Sequence, residues 1–141
     1  MGIIFSILAG FLMSIQGVFN TNASKKIGLW ETNLIVQGVA LVSTLILFFF
    51  LKNGSFKEIG SLNKLYLTGG IIGTLITVTV MLGINKLGPT CSISIILIAQ
   101  LLTAAIIDAL ALFNTEKIAF GINKYIGIIM MLIGIIIFKC K

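Results

Sequence analysis

The chain has 141 residues, of which 58% are hydrophobic and only 10% charged, and its mean hydropathy is +1.17. A soluble domain carries about 25% charged residues, so a water-soluble enzyme or binding module is excluded. The net charge of +6 is no nucleic-acid signal, because the lysines are scattered among the breaks between apolar runs, where topology and headgroups account for them.

The expected fold class is an all-α membrane protein with five transmembrane helices in a single transmembrane domain. Its apolar runs are continuous and do not alternate as barrel strands would. The spans fall at about 2–22, 33–51, 65–85, 89–113 and 121–138, each able to cross about 30 Å of hydrocarbon at about 1.5 Å per residue. The first run resembles a signal peptide but lacks a basic leading region, and further spans follow it, so it reads as a retained first helix. It holds Gln16 and Asn20, one helical turn apart. The break from Asn22 to Trp30 contains Lys25, Lys26 and Gly28. The second span begins with Asn33 and Gln37, again one turn apart.

The break from Lys52 to Lys64 is the longest. Ser55 and Glu58 fit a capping box, and Phe56, Ile59 and Leu62 would share a helical face. A short interfacial helix and an irregular loop are both open there. The third span carries Gly69, Gly70, Gly73, Thr74 and Thr77. Gly69 and Gly73 are a pair of small residues four apart, of the kind that lets another helix come close, and helix packing is the favoured reading. The break from Asn85 to Pro89 is so short that spans three and four should form a tight hairpin.

The fourth span opens with the helix-start signal Gly88-Pro89-Thr90. Ser92, Gln100 and Asp108 then recur at intervals of eight and fall on nearly one helical face, joined by Ile96 and Ala104. A carboxylate in a span costs from about 2.5 kcal/mol to much more and is normally turned toward protein or water. The stripe therefore implies other helices, a cavity between them and a polar visitor. Beyond Asn123 and Lys124 at its start, the fifth span has no strongly polar side chain. Its Gly127 and Gly134, seven apart, mark a lipid-facing or helix-pairing element. Trp30, Glu31 and Tyr66 read as interfacial anchors.

All ten basic residues are lysines, and five spans divide them evenly. One side of the membrane receives Lys52, Lys57, Lys64, Lys117 and Lys124. The other receives Lys25, Lys26, Lys86, Lys139 and Lys141. The excess that normally fixes orientation is absent, so insertion both ways round is expected. Chance balance or unequal loop weighting is the alternative. Two oppositely inserted copies supply the inverted repeat that many transporters carry within one chain, giving an antiparallel dimer of ten helices.

These features together resemble the YdcZ-like family of small bacterial inner-membrane proteins, within the drug/metabolite transporter superfamily. The resemblance covers nearly the whole chain. It rests on Gln16-Gly17 with Asn20, Gly69-Gly70 with Gly73, Lys86-Leu87-Gly88, Ala99-Gln100-Leu101-Leu102 followed by Asp108, and the glycine-punctuated last span. Ala99 stands where the family pattern prefers glycine. The resemblance implies five helices per chain, a multi-pass inner-membrane location, and assembly as antiparallel homodimers or with a paralogous chain. The small multidrug resistance relatives resemble four-helix versions with a membrane-embedded glutamate in the first helix. This chain has Gln16 and Asn20 there and no acid.

The expected function is a small transporter that moves a neutral or zwitterionic, partly apolar solute by alternating access. Gln16, Asn20, Gln37, Thr77, Ser92 and Gln100 are the substrate-contacting candidates. Interhelical glue is the alternative for the two glutamines of spans one and four, and headgroup contact for Asn20, Asn33 and Gln37. Asp108, near the end of its span, is a gate or ion-coupling candidate. Gly69, Gly73, Gly127 and Gly134 are helix-packing candidates. A passive channel or a non-transporting scaffold subunit would use the same polar stripe. No enzyme, cofactor or metal is expected: the chain has no histidine, and Cys91 and Cys140 offer neither a metal-ligand spacing nor a disulfide framework.

Overall fold

The computed structural model describes residues 1–116, 118 and 121–138. Helix α1 spans Gly2–Ile27, beyond the expected end of the first span at 22. The polar tail Asn20 to Lys26 contains no helix breaker. Its Thr21 and Ser24 hydroxyls donate back to the carbonyls of Gly17 and Thr21 at 2.7 and 2.8 Å, so they make no demand for a loop. The helix stops only at Gly28, whose φ of +103° is one that L residues rarely adopt.

Helix α2, Leu29–Leu51, follows at once, so the break expected from Asn22 to Trp30 shrinks to a single residue. Glu31 sits in the first turn of α2, where the positive end of the helix favours it. A Cβ added at Gly28 would run into the Glu31 carboxylate. Glycine is favoured here for its φ, since the Glu31 side chain is flexible and could swing aside. Lys25 and Lys26 occupy the last turn of α1, answering the negative end of that helix.

Beyond α2 the long break forms two 3-10 turns, Phe56–Ser61 and Lys64–Thr68. The Ser55 signal is met as a cap, since its hydroxyl accepts from the Lys57 N–H at 3.2 Å. No α-helix grows from it, because Gly54 and Gly60 bracket only a few residues and a short α-helix cannot offset its own nucleation. Helix α3 spans Gly69–Leu87.

Helix α4 spans Pro89–Leu110 with Pro89 in its first turn and Gly88, φ +79°, before it, as the Gly-Pro pattern leads one to expect. It ends short of the expected 113, because Ala111, Phe113 and Asn114 take φ values of 51°, 55° and 66°. Left-handed backbone cannot continue a right-handed helix. Helix α5 spans Ile122–Ile137, 16 residues, or about 24 Å of rise. The four stretches Gly2–Ile27, Leu29–Leu51, Lys64–Leu87 and Pro89–Leu110 are long and apolar enough to cross a membrane, and α5 is a shorter apolar helix. Among the described residues every element is helical, with no strand.

The chain divides into two compact units, Met1–Asn85 and Lys86–Lys141. In the first, α1 packs on α2, and Val80 and Ile84 of α3 reach Gly17 of α1. In the second, α4 packs on α5. Burial is inverted relative to a soluble protein. The buried apolar residues are Val78, Met81, Ile84 and Cys91, while Asn20, Thr21, Thr32, Asn33 and Ser92 are buried polar ones. Large apolar side chains such as Ile3, Phe5, Leu34 and Phe49 are more than half exposed, as suits a lipid solvent. Cys91 is buried near the start of α4. Cys140 lies outside the described residues.

Candidate functional site

In hydrocarbon a polar side chain must be satisfied by protein, water or a ligand. Many hydroxyls of the spans are satisfied by their own helix. Thr21, Thr32 and Thr77 donate to the carbonyls of Gly17, Gly28 and Gly73 at 2.7, 2.8 and 3.0 Å, and Thr74 and Thr103 do the same. Thr77, a substrate-contacting candidate, therefore has its proton engaged and offers only an acceptor. The amides behave differently. Among the described residues the side chains of Gln16, Asn20, Gln37 and Gln100 make no hydrogen bond. Each such group presents two donors and an acceptor.

Gln16 and Asn20 project from one side of α1. With Leu12, Met13 and Phe19 they line a groove of about 510 Å³. Every lining residue comes from α1, so the described chain supplies one wall of this space. Gln16 is exposed and Asn20 is buried, which sets a reachable amide beside a sheltered one. Gln37 is half-buried on α2.

Asn33 is 5% exposed, and its Oδ1 is buried without a hydrogen-bond partner. Such an orphaned acceptor costs about 1–3 kcal/mol. The sequence places Asn33 at a span end, among headgroups. Because α2 begins at Leu29, the residue in fact lies a full turn inside the helix. The signal that would have found it is the absence of any helix breaker between Leu29 and Asn33.

On α4 the stripe is unevenly covered. Ser92 is buried, Ile96 and Asp108 are half-buried, and Gln100 and Ala104 are exposed. The Ser92 hydroxyl makes no hydrogen bond among the described residues. Asp108 lies two residues before the end of α4 at Leu110, and its carbonyl accepts from the Ile118 N–H at 3.2 Å.

A Cβ at Gly69, Gly73, Gly127 or Gly134 would meet nothing within 4 Å, so each of these positions presents an open surface. The close approach is at Gly17, where a Cβ would stand 2.8 Å from Ile84 Cδ1 and 3.2 Å from Val80 Cγ1. Gly17→Ala adds one atom against the mobile end of an isoleucine and gains helix propensity, so it is expected to be mild. Gly17→Leu cannot fit and should cost about 1–3 kcal/mol. A thermal melt of the detergent-solubilised protein checks this, and an unchanged midpoint for the leucine variant would show that α1 and α3 do not meet here.

A family model described as "Putative inner membrane exporter, YdcZ" matches residues 1–137. The chain belongs to this family. No curated protein and no solved structure matches it. It is therefore an inner-membrane protein of an exporter family, which is not a class of enzymes. Within this YdcZ-family chain, the neighbouring residues Gln16 and Gly17 have different tasks. Gln16, with Asn20 a turn later, lines the groove, and Gly17 seats α3. Among the described residues no group of three or more histidine, cysteine, aspartate or glutamate side chains stands together as a metal site.

Proposed function

We propose that this YdcZ-family chain is half of a small transporter, which moves a neutral or zwitterionic, partly apolar solute by alternating access between two oppositely inserted copies. The observation that carries this reading is the set of span amides without partners. Gln16, Asn20, Gln37 and Gln100 make no hydrogen bond in the described chain, and the groove beside two of them has walls from one helix only. A second copy, or a paralogous chain, completes the enclosure, and a solute or water satisfies the amides. Spans one to four of both chains wall the cavity. The fifth helix lies outside it and pairs subunits through the open surfaces at Gly127 and Gly134.

The balance of five lysines against five supports the inverted arrangement. Amide and hydroxyl lining suits a solute that brings its own donors and acceptors without a large net charge. Asp108 is the only acidic residue within the membrane-spanning helices away from a first turn, and its place near the end of α4 suits a gate at the cavity mouth.

The test begins with the purified protein in liposomes. A panel of labelled neutral and zwitterionic solutes is followed by counterflow, in which saturable exchange marks a carrier and fast unsaturated flux marks a pore. Gln100→Ala is then expected to abolish binding of the transported solute while leaving a folded dimer. Unchanged affinity in that variant would remove Gln100 from the site.

A further inference from the structure

Where α2 ends, the chain forms a second recess, of about 450 Å³, lined by Thr44, Leu47, Phe48 and Leu51 of the helix and by Lys52 to Phe56 of the turn that follows. Its inner part is apolar. Phe48 and Phe56 both line it, their rings in contact with centroids 5.4 Å apart and planes inclined by 39°. Its rim is polar. Lys52 makes no ion pair among the described residues. The Ser55 hydroxyl accepts from the Lys57 N–H, which leaves its own proton free to donate.

We propose that this recess holds one anionic phospholipid, with the phosphate against Lys52 and Ser55 and the upper acyl chain along Leu47, Phe48 and Leu51. Three observations converge on that occupant. The recess sits at the end of a 23-residue apolar helix, where headgroups begin. The stretch from 52 to 64 carries Lys52, Lys57 and Lys64 against Glu58 alone, and such clusters attract anionic lipid surfaces. The lining joins aliphatic and aromatic side chains to a cation, the two chemistries that a phospholipid presents together. Lys52 also answers the negative end of α2. That role accounts neither for the other two lysines nor for an apolar recess beneath the charge. The site is separate from the amide-lined groove of α1 and stands or falls independently of transport.

The test uses the full-length protein in detergent, offered equal amounts of phosphatidylglycerol and phosphatidylcholine, with retained lipid counted by native mass spectrometry. Phosphatidylglycerol is expected to be retained in preference. Lys52→Gln should lower that retention about fivefold, the worth of one lysine near an anionic surface, and Lys52→Arg should preserve it. Phe56→Ala should lower retention of both lipids by removing one wall. Lys86→Gln, remote in sequence from the recess, should change nothing. Equal retention of the two lipids by the unaltered protein would overturn the proposal without recourse to any variant. An equal loss in Lys86→Gln would reduce it to general surface charge. Displacement of the lipid by millimolar inorganic phosphate would show that a free anion is the ligand and overturn it as well.

Discussion

Leucine at both Gln16 and Asn20 is expected to abolish transport and leave the protein folded. The physical asymmetry lies in what each role would lose. Interhelical hydrogen bonds in membranes are worth about 0.6 kcal/mol each on average, so as glue the two amides together supply about 1 kcal/mol. In the described chain they make no hydrogen bond at all, and within one subunit the substitution removes nothing. Leucine is close in volume to either amide, and at Asn20, which is 8% exposed, an apolar side chain suits a buried position. As solute ligands the same amides count for far more. Each lost partner strands a polar group of the solute at a cost of about 1–3 kcal/mol, so the pair should lower affinity by about a hundredfold or more. Counterflow and a thermal melt on one preparation separate the cases. Flux within a few-fold of the unaltered protein would place the amides off the solute path, and a collapse of the melt with flux lost would make them structural.

Helix identity was legible in the sequence wherever hydropathy and breakers act together. The run of apolar residues sets α2 and α3, and Gly88-Pro89 sets the start of α4 to the residue. Legibility failed where a polar segment has no breaker. Asn22 to Lys26 looks like a loop by composition, yet it stays helical because the Thr21 and Ser24 hydroxyls bond inward and nothing interrupts the backbone before Gly28. That shift moves Asn33 from a headgroup position to a buried one. It also failed at the end of α4, where Ala111 and Phe113 turn left-handed without any glycine to announce it. The site was legible as residue types and not as surroundings. A sequence reveals that Gln16 is an amide in a span. It does not reveal that Gly17 beside it meets a neighbouring helix, because that depends on which faces turn together.

Fixing the orientation of the chain should inactivate it, and a mixture of two oppositely fixed chains should be active. Ser61→Lys with Lys25→Gln and Lys26→Gln changes the lysine balance from five against five to six against three. Asn22→Lys with Lys57→Gln and Lys64→Gln changes it to three against six. All the altered positions lie at helix ends or in connections, and each is exposed or half-exposed, so stability should move by less than about 0.5 kcal/mol. Orientation responds strongly to lysines in short breaks, and reporters fused at the C-terminus read it out. Each variant alone then yields only like-oriented copies, which lack the inverted repeat on which alternating access is built. Expressed together, every antiparallel pair is productive and transport returns. Full activity from either fixed variant alone would refute the inverted pair. The argument turns on a balance that is easily upset. Only ten basic residues set the orientation, and moving two or three of them should separate a pair that the sequence otherwise leaves free to form.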